Sequence, residues 1–342
     1  MRRGWSNRLT ARNGSPKAHY VPAFYQRGFA NHDLLVWRYD RLRREYLQPP
    51  PKVNCREEDL CAVAGLAVMG DGRRVVSASW DCTLKIWDLE SGKVLGVLAG
   101  EQGLVVDVAA TADGRIVSGG TDGTVKVWDA KLGRELLTFT GHHGTVHAVA
   151  VTRDGRRAAS ISEDKTLKIW DLDSGKEFRT IADLRGWACS VAFTPDGSRV
   201  VASWGSDALK VWDLYSGREL YTLQGHKEIV RQLAITADGR HVLSASKDRT
   251  LKVWDLERGR ELWTLVGHVG DVSTVAVSPD GRLAVSGSQQ DGLKVWDLNT
   301  GSAIAGFTCE GGPLCCAFSA PNEIVAGDMT GTVYRLQLVM KP

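Results

Sequence analysis

The sequence predicts an all-β fold, a seven-bladed β-propeller of four-stranded antiparallel blades. The first observation is a Trp-Asp pair that recurs every 41 or 42 residues along the 342-residue chain. The second is the alternation of apolar and polar residues between these pairs, interrupted by turn residues, which leaves no room for helices. The third is length, because seven units of about 40 residues fill the span from about residue 63 to residue 338. The six pairs are Trp87-Asp88, Trp128-Asp129, Trp170-Asp171, Trp212-Asp213, Trp254-Asp255 and Trp296-Asp297.

Each unit divides into four strands at its turn residues. The first hairpin turns on an Asp-Gly pair such as Asp238-Gly239, because glycine accepts the positive φ of a tight turn. The third strand ends on the Trp-Asp pair. A second turn containing glycine, such as Ser216-Gly217, leads into the fourth strand.

A family resemblance rests on Gly225-His226, Ser244, Asp248 and Trp254-Asp255. These residues resemble the landmarks of WD-repeat (WD40) β-propellers, and the resemblance covers about residues 63–338. Near-identical copies such as residues 209–214 and 251–256 resemble bacterial WD arrays. The seventh unit lacks the landmarks.

The resemblance implies a buried hydrogen-bonded network of His, Ser, Asp and Trp within a blade. The network residues are His142, Ser160, Asp164 and Trp170 in the third unit and His226, Ser244, Asp248 and Trp254 in the fifth. Other units depart from this pattern: Glu101 and Asp183-Leu184 replace landmarks, and the turns before Trp212 and Trp296 are one residue short. The departing blades are expected to be less rigid.

His, Ser and Asp are also the residue types of a hydrolase triad. An active site needs the set once, whereas this chain repeats it from unit to unit, which favours a structural role. No glycine-rich phosphate loop leads from a strand into a helix, and the cluster of His142, His143 and His147 is not expected to bind a metal. The sequence predicts no enzyme, no cofactor and no metal site.

The resemblance also implies where a partner binds. We define the loop face as the end of the ring formed by the loops between blades and by the turns that join second and third strands. Tryptophan near arginine is typical of interface hot spots, although Trp187 and Trp204 have the alternative role of packing on each other. The candidate partner-binding residues are Trp80, Thr145, His147, Glu163, Trp187, Cys189, Trp204, Ile229, Arg231, Lys247 and Asp271. The predicted function is a non-catalytic scaffold, monomeric by itself, that binds a protein or peptide.

The chain is expected to comprise a basic segment, residues 1–54, and a propeller, residues 55–342. The basic segment has eleven Lys and Arg against three Asp and Glu, a net charge of +8, whereas the remainder carries −5. A basic arm suggests the alternative of a nucleic-acid-associated scaffold, and the simpler interpretation is a solvated terminus. Residues 19–62 weakly resemble the start of a bacterial domain family of unknown function, which implies no activity.

The seventh unit lacks a fourth strand before the chain ends. Residues 44–47 are predicted to supply it by pairing with residues 332–338, which closes the ring with an N-terminal strand. Residues 35–39 are then surplus, and they either cover that blade or begin an eighth. Seven blades are favoured because Trp37 precedes Trp87 by 50 residues.

The sequence favours a cytoplasmic protein. The first residues do not form a secretory signal, and no stretch approaches the roughly 18 apolar residues of a membrane span. Seven scattered cysteines are typical of reduced thiols in a cytosol.

Overall fold

The computed structural model describes residues 35–41, 62–100, 103–182, 186, 188–204 and 207–340. Within these residues it contains twenty-eight β-strands and no helix. The strands form seven antiparallel sheets of four strands each. The predicted all-β fold of seven four-stranded blades is confirmed.

The strands follow one another blade by blade. Blade 1 contains β2 (Val63–Val68), β3 (Arg74–Ser79), β4 (Thr83–Asp88) and β5 (Val94–Ala99). Blade 2 contains β6 (Val105–Ala110), β7 (Arg115–Gly120), β8 (Val125–Asp129) and β9 (Arg134–Phe139). Blade 3 contains β10 (Val146–Val151), β11 (Arg157–Ser162), β12 (Leu167–Asp171) and β13 (Lys176–Ile181). Blade 4 contains β14 (Val191–Phe193), β15 (Arg199–Trp204), β16 (Ala208–Asp213) and β17 (Glu219–Gln224). Blade 5 contains β18 (Val230–Ile235), β19 (His241–Ser246), β20 (Thr250–Asp255) and β21 (Arg260–Val266). Blade 6 contains β22 (Val272–Val277), β23 (Leu283–Ser288), β24 (Gly292–Asp297) and β25 (Ser302–Phe307). Blade 7 contains β26 (Pro313–Ala320), β27 (Glu323–Asp328), β28 (Val333–Met340) and an N-terminal strand, β1 (Leu35–Arg41).

The first strand of each blade faces the centre of a closed ring. Each of these inner strands packs against the inner strands on either side, and β26 of blade 7 packs against β2 of blade 1. The apolar core consists of clusters that each bridge two neighbouring blades. In one of them, Val63 and Trp87 of blade 1 pack with Cys315 and Val325 of blade 7.

The Asp-Gly turns close the hairpin between the first and second strands at one end of blades 1 to 6. In blade 3, Gly155 has a φ of 71° and its amide donates to the Thr152 carbonyl at 2.9 Å. The Asp154 carboxylate accepts hydrogen bonds from the Thr152 hydroxyl at 2.6 Å and from the Arg156 amide at 3.0 Å. This turn closes the hairpin at one end of the blade, so that the turn between the second and third strands lies at the other end, on the loop face.

The strand at the edge of blade 7 differs from the expectation. β1 pairs antiparallel with β28, from Leu35 opposite Met340 to Arg41 opposite Tyr334. Residues 44–47, which the sequence predicts for this edge, lie outside the described residues. The run that the sequence marks as surplus therefore pairs in this blade, and it does not begin an eighth. Seven paired residues cover the eight-residue β28, whereas a four-residue strand would leave half of its backbone groups without partners.

Truncation tests the edge strand. A fragment lacking residues 1–32 retains β1 and is expected to be monomeric with an unchanged melting temperature. A fragment lacking residues 1–42 exposes the backbone groups of β28, so we expect a lower melting temperature and self-association. Size-exclusion chromatography and thermal unfolding measure both properties. Equal behaviour of the two fragments would show that β1 is not required.

Candidate functional site on the loop face

The polar network of blade 5 links the loop face to the third strand. Nδ1 of His226 lies 2.7 Å from Oδ2 of Asp248, and Nε2 lies 2.7 Å from Oγ of Ser244. The indole Nε1 of Trp254 donates to the same Ser244 oxygen at 2.8 Å. Ser244 and Trp254 are buried. Blade 3 repeats the arrangement with His142–Asp164 at 2.9 Å, His142–Ser160 at 2.7 Å and Trp170–Ser160 at 2.7 Å.

Blade 6 contains a third complete network, which the sequence interpretation missed. His268 contacts Asp291 at 2.9 Å and Ser286 at 2.7 Å, and Trp296 donates to Ser286 at 2.8 Å. The shortened turn that the sequence shows before Trp296 is present, because Asp291 stands one position later relative to Ser286 than Asp248 does relative to Ser244. Its carboxylate nevertheless reaches His268, and Gly292 adopts a φ of 75° beside it. The separation of His268 and Ser286, eighteen residues as in blade 5, was the available signal.

The described residues of blades 1, 2 and 7 show other contacts at the third strand. In blades 1 and 2 the indoles of Trp87 and Trp128 donate to serine hydroxyls at 2.8 Å, as in the complete networks. In blade 7 the hydroxyl of Tyr334 donates to Asp328 at 2.6 Å and accepts from the Glu310 amide at 3.1 Å. A tyrosine and an aspartate therefore replace the whole network there.

In the network of blade 3, the pKa shifts favour a neutral His142 imidazole beside an ionised Asp164 carboxylate. Burial raises the pKa of Asp164, but hydrogen bonds from Thr166, the His143 amide and His142 outweigh it and lower the pKa to about 2. Burial lowers the pKa of His142, against the opposing effect of Asp164. His142 thus donates from Nδ1 to the carboxylate and accepts at Nε2 from Ser160. The hydrogen bonds run from Trp170 through Ser160 and His142 to Asp164, and each polar group in this series is paired. Complete pairing is the condition for stable burial of polar groups.

A cavity of about 410 Å³ lies where the loop face meets the central channel. Its lining residues are Ala64, Trp80, Val106, Asp107, His147, Cys189, Ser190, Arg231, Gln232, Asp271, Ser273, Gln289 and Leu314. Five predicted candidates, Trp80, His147, Cys189, Arg231 and Asp271, therefore meet here from five different blades. Sequence reasoning missed Asp107 and Gln232, whose signal is their position near the start of an inner strand.

Four further candidates lie on the rim rather than in the cavity lining. The Glu163 amide donates to the Thr145 carbonyl at 2.9 Å in blade 3, and the Lys247 amide donates to the Ile229 carbonyl at 2.9 Å in blade 5. These bonds attach each loop between blades to the neighbouring turn. Trp187 and the side chain of Trp204 lie outside the described part of the structure.

The repeats match a known family model. The model described as WD domain, G-beta repeat, matches residues 56–88, 92–129, 133–171, 217–255 and 259–297, together more than half of the chain. The chain belongs to the WD-repeat family. The unmatched stretches include most of blade 4, which keeps Trp212-Asp213 but lacks the Gly-His pair, and all of blade 7, which lacks both landmarks. A comparison with curated proteins finds no match.

The cysteines differ from the expectation at one position. Cys189, Cys309, Cys315 and Cys316 have free thiols, and burial raises the pKa of Cys316 to about 12. Cys82 is disulfide-bonded, so the expectation of reduced cysteines is wrong for this residue.

Among the described residues no group of His, Cys, Asp and Glu converges as a metal site. No helix in this part of the chain is long and apolar enough to span a bilayer.

Loss of the histidine contact is predicted to destabilise the fold. Asp248→Ala removes the partner of His226 and leaves a buried imidazole N–H unpaired, so we expect a loss of about 2 to 4 kcal/mol. Asp122→Ala is the matched control, because Asp122 bonds Thr124 as Asp248 bonds Thr250 but contacts no histidine among the described residues. Thermal or denaturant unfolding gives both values. A loss no larger for Asp248→Ala than for the control would contradict the role of the network.

The buried histidines are predicted to titrate below their ordinary value. Burial lowers the pKa of His142 and of His268, whereas unfolded histidine titrates near 6.5. Their contribution to stability is therefore complete above pH 6.5 and is lost as the pH falls further, because the unfolded chain binds protons that the folded chain does not. NMR titration of the ring protons measures this, and a transition at or above pH 6.5 would contradict it.

Proposed function

We propose that this protein is a non-catalytic scaffold that binds a protein or peptide on its loop face, over the mouth of the central channel. WD-repeat propellers generally act as protein-interaction scaffolds. The observation that supports the loop face is the convergence of Trp80, His147, Cys189, Arg231 and Asp271 on one cavity. Its volume lies in the range of ligand pockets.

The chemistry of the cavity suits a partner surface with both apolar and charged groups. Trp80 contributes a half-buried indole, and Arg231 and Asp271 contribute exposed charges. Tryptophan and arginine are the residues most enriched in binding hot spots. Contributions from several blades hold these groups on a rigid frame, which reduces the entropy lost on binding.

The proposal assigns no catalysis to the Ser-His-Asp sets. The hydroxyl oxygens of Ser160, Ser244 and Ser286 are buried and already accept a hydrogen bond from a tryptophan indole. A nucleophile must reach a substrate carbonyl, and these oxygens have no room for one. Each set therefore supports its blade.

We further propose a cytoplasmic monomer. Four free thiols among the five described cysteines support a reducing compartment. Because Cys82 is disulfide-bonded, fractionation of the native host is the deciding measurement.

A nucleic-acid-associated scaffold remains the second candidate because of the +8 charge of residues 1–54. Titration with a random oligonucleotide at two salt concentrations tests it, and binding without salt dependence, or no binding, removes it.

Substitutions on the loop face of blades 5 and 6, compared with substitutions on the opposite face of blade 5, test the binding surface. Affinity purification from the native host first identifies the partner. The double variant Arg231→Ala, Asp271→Ala should then lower partner affinity at least tenfold, because it removes the exposed charges of the cavity. Both side chains are exposed, so the melting temperature should not change.

The control is a double variant with the same loss of charge on the opposite face. Arg240→Ala, Glu257→Ala removes two exposed side chains near the other turns of blade 5. Partner affinity should equal that of the wild type. Equal losses in the two double variants, or no loss in the first, would contradict binding on the loop face.

A further inference from the structure

Side-chain oxygens on the channel wall tie neighbouring blades together. Oγ of Ser190 in blade 4 accepts the Leu233 amide of blade 5 at 3.1 Å. Oε1 of Gln232 in blade 5 accepts the Val275 amide of blade 6 at 2.8 Å. At the corresponding position in blade 2, Oδ2 of Asp107 accepts the Val149 amide of blade 3 at 2.9 Å. A neutral oxygen is therefore sufficient for this structural task.

Asp107 is an ionisable group, whereas the structural task requires only a neutral oxygen. Burial raises its pKa to about 7, against the effect of hydrogen bonds from the Val149 and Val108 amides, and no described cation contributes. A buried carboxylate without a counter-charge is costly, and serine and glutamine avoid that cost in blades 4 and 5. The charge at this position therefore needs another explanation.

The surroundings of Asp107 leave room for the carboxylate at the cavity. Its Oδ1 lies against Gly65 of blade 1, where a Cβ atom would be only 2.9 Å away. Any larger residue at position 65 would displace the carboxylate. Asp107 also lines the 410 Å³ cavity, so a ligand in the channel mouth reaches it.

The charge balance of the described cavity lining favours a cation. It contains two carboxylates, Asp107 and Asp271, against one guanidinium, Arg231. Burial lowers the pKa of His147, which is therefore neutral at pH 7. Arg231 of blade 5 and Asp271 at the start of blade 6 both lie three blades away from Asp107 in a ring of seven, so these opposite charges are neighbours on the far side of the channel. Among the described lining residues of blades 7, 1, 2 and 3, Asp107 is the one carboxylate and none is a lysine or an arginine.

We propose that Asp107 is a specificity-determining residue that holds a cationic group, the ammonium or guanidinium of a basic side chain of the partner, in the channel mouth. The assignment of the cation to a side chain of the partner rests on the proposed function, because only a scaffold has a partner that supplies such a side chain. The chemistry of the site itself can be measured without the partner.

Two small probes separate charge from shape. N-acetylarginine amide carries a guanidinium, and N-acetylcitrulline amide is its neutral near-isostere. Each is titrated into the full chain at pH 8 while NMR follows the backbone amide of Val149, which bonds Asp107. We expect a saturable shift with the arginine probe and at least tenfold weaker binding of the citrulline probe.

Two variants separate binding from folding. Asp107→Asn keeps an oxygen for the Val149 amide, so its melting temperature at pH 8 should equal or exceed that of the wild type, while its affinity for the arginine probe falls at least tenfold. Asp107→Gln is the second variant, because Gln232 performs the same structural task in blade 5. Affinity of a folded variant within twofold of the wild type would overturn the proposal.

The pH dependence has a defined sign. The groups that face Asp107 are Cys315 of β26, whose thiol pKa burial raises, His147 of β10, and Arg231 and Asp271 across the cavity. The probe guanidinium stays charged, and Asp107 ionises near pH 7. Affinity for the arginine probe should therefore be about tenfold higher at pH 8 than at pH 6, and Asp107→Asn should abolish this difference.

The outcomes distinguish the two proposals. Equal binding of the arginine and citrulline probes to the wild type would overturn the cation site, whatever the variants do, and would leave partner capture on the loop face intact. Arginine-specific binding through Asp107 together with unaltered partner affinity in Arg231→Ala, Asp271→Ala would support the cation site and contradict the proposed docking surface.

Discussion

Burial between neighbouring blades is the interaction on which the rest of the structure depends. A four-stranded sheet has two faces, and no blade can cover both by itself. Trp254 of blade 5, which is 1% exposed, packs against Leu209 and Leu223 of blade 4. The same relation repeats around the ring until Val63 and Cys315 join the first blade to the last. A linear array would leave two apolar faces in water, so closure is a condition of stability rather than a consequence of it.

The polar networks are additions to this apolar frame. The part that several blades share is a single hydrogen bond from tryptophan to serine. The indole-to-serine hydrogen bond occurs in blades 1 and 2 with no histidine contact among the described residues, at the same 2.8 Å as in blades 5 and 6. A buried indole N–H needs an acceptor, and one hydroxyl satisfies it. The His-Asp extension adds the contact to the loop between blades. Variation in this extension alters how firmly a loop is held without altering how the blade packs.

The candidate site exists because seven inner strands approach one axis without meeting. Their first residues surround a channel mouth, so a single cavity collects side chains from distant parts of the sequence. The same wall must bind neighbouring blades together and offer groups to a partner. Ser190 and Gln232 perform the first task with neutral oxygens, whereas Asp107 adds a charge to it. This difference separates structural from recognition chemistry on one surface.

The sequence by itself determined the blades and their turns, and its resemblance to WD repeats implied the networks of blades 3 and 5. The blades and turns depend on spacing within about 40 residues, which local backbone geometry translates directly into strands and hairpins. The tertiary structure decided the rest. It showed that Asp291 reaches His268 from a shifted position and that Leu35–Arg41 pairs with a strand some 300 residues away. It also placed Asp107 in the cavity with Trp80 and Arg231. Such contacts depend on how the ring packs, because the repeat marks which positions reach the channel wall but not which side chains meet there, and strand-edge pairing leaves no periodic mark in the sequence.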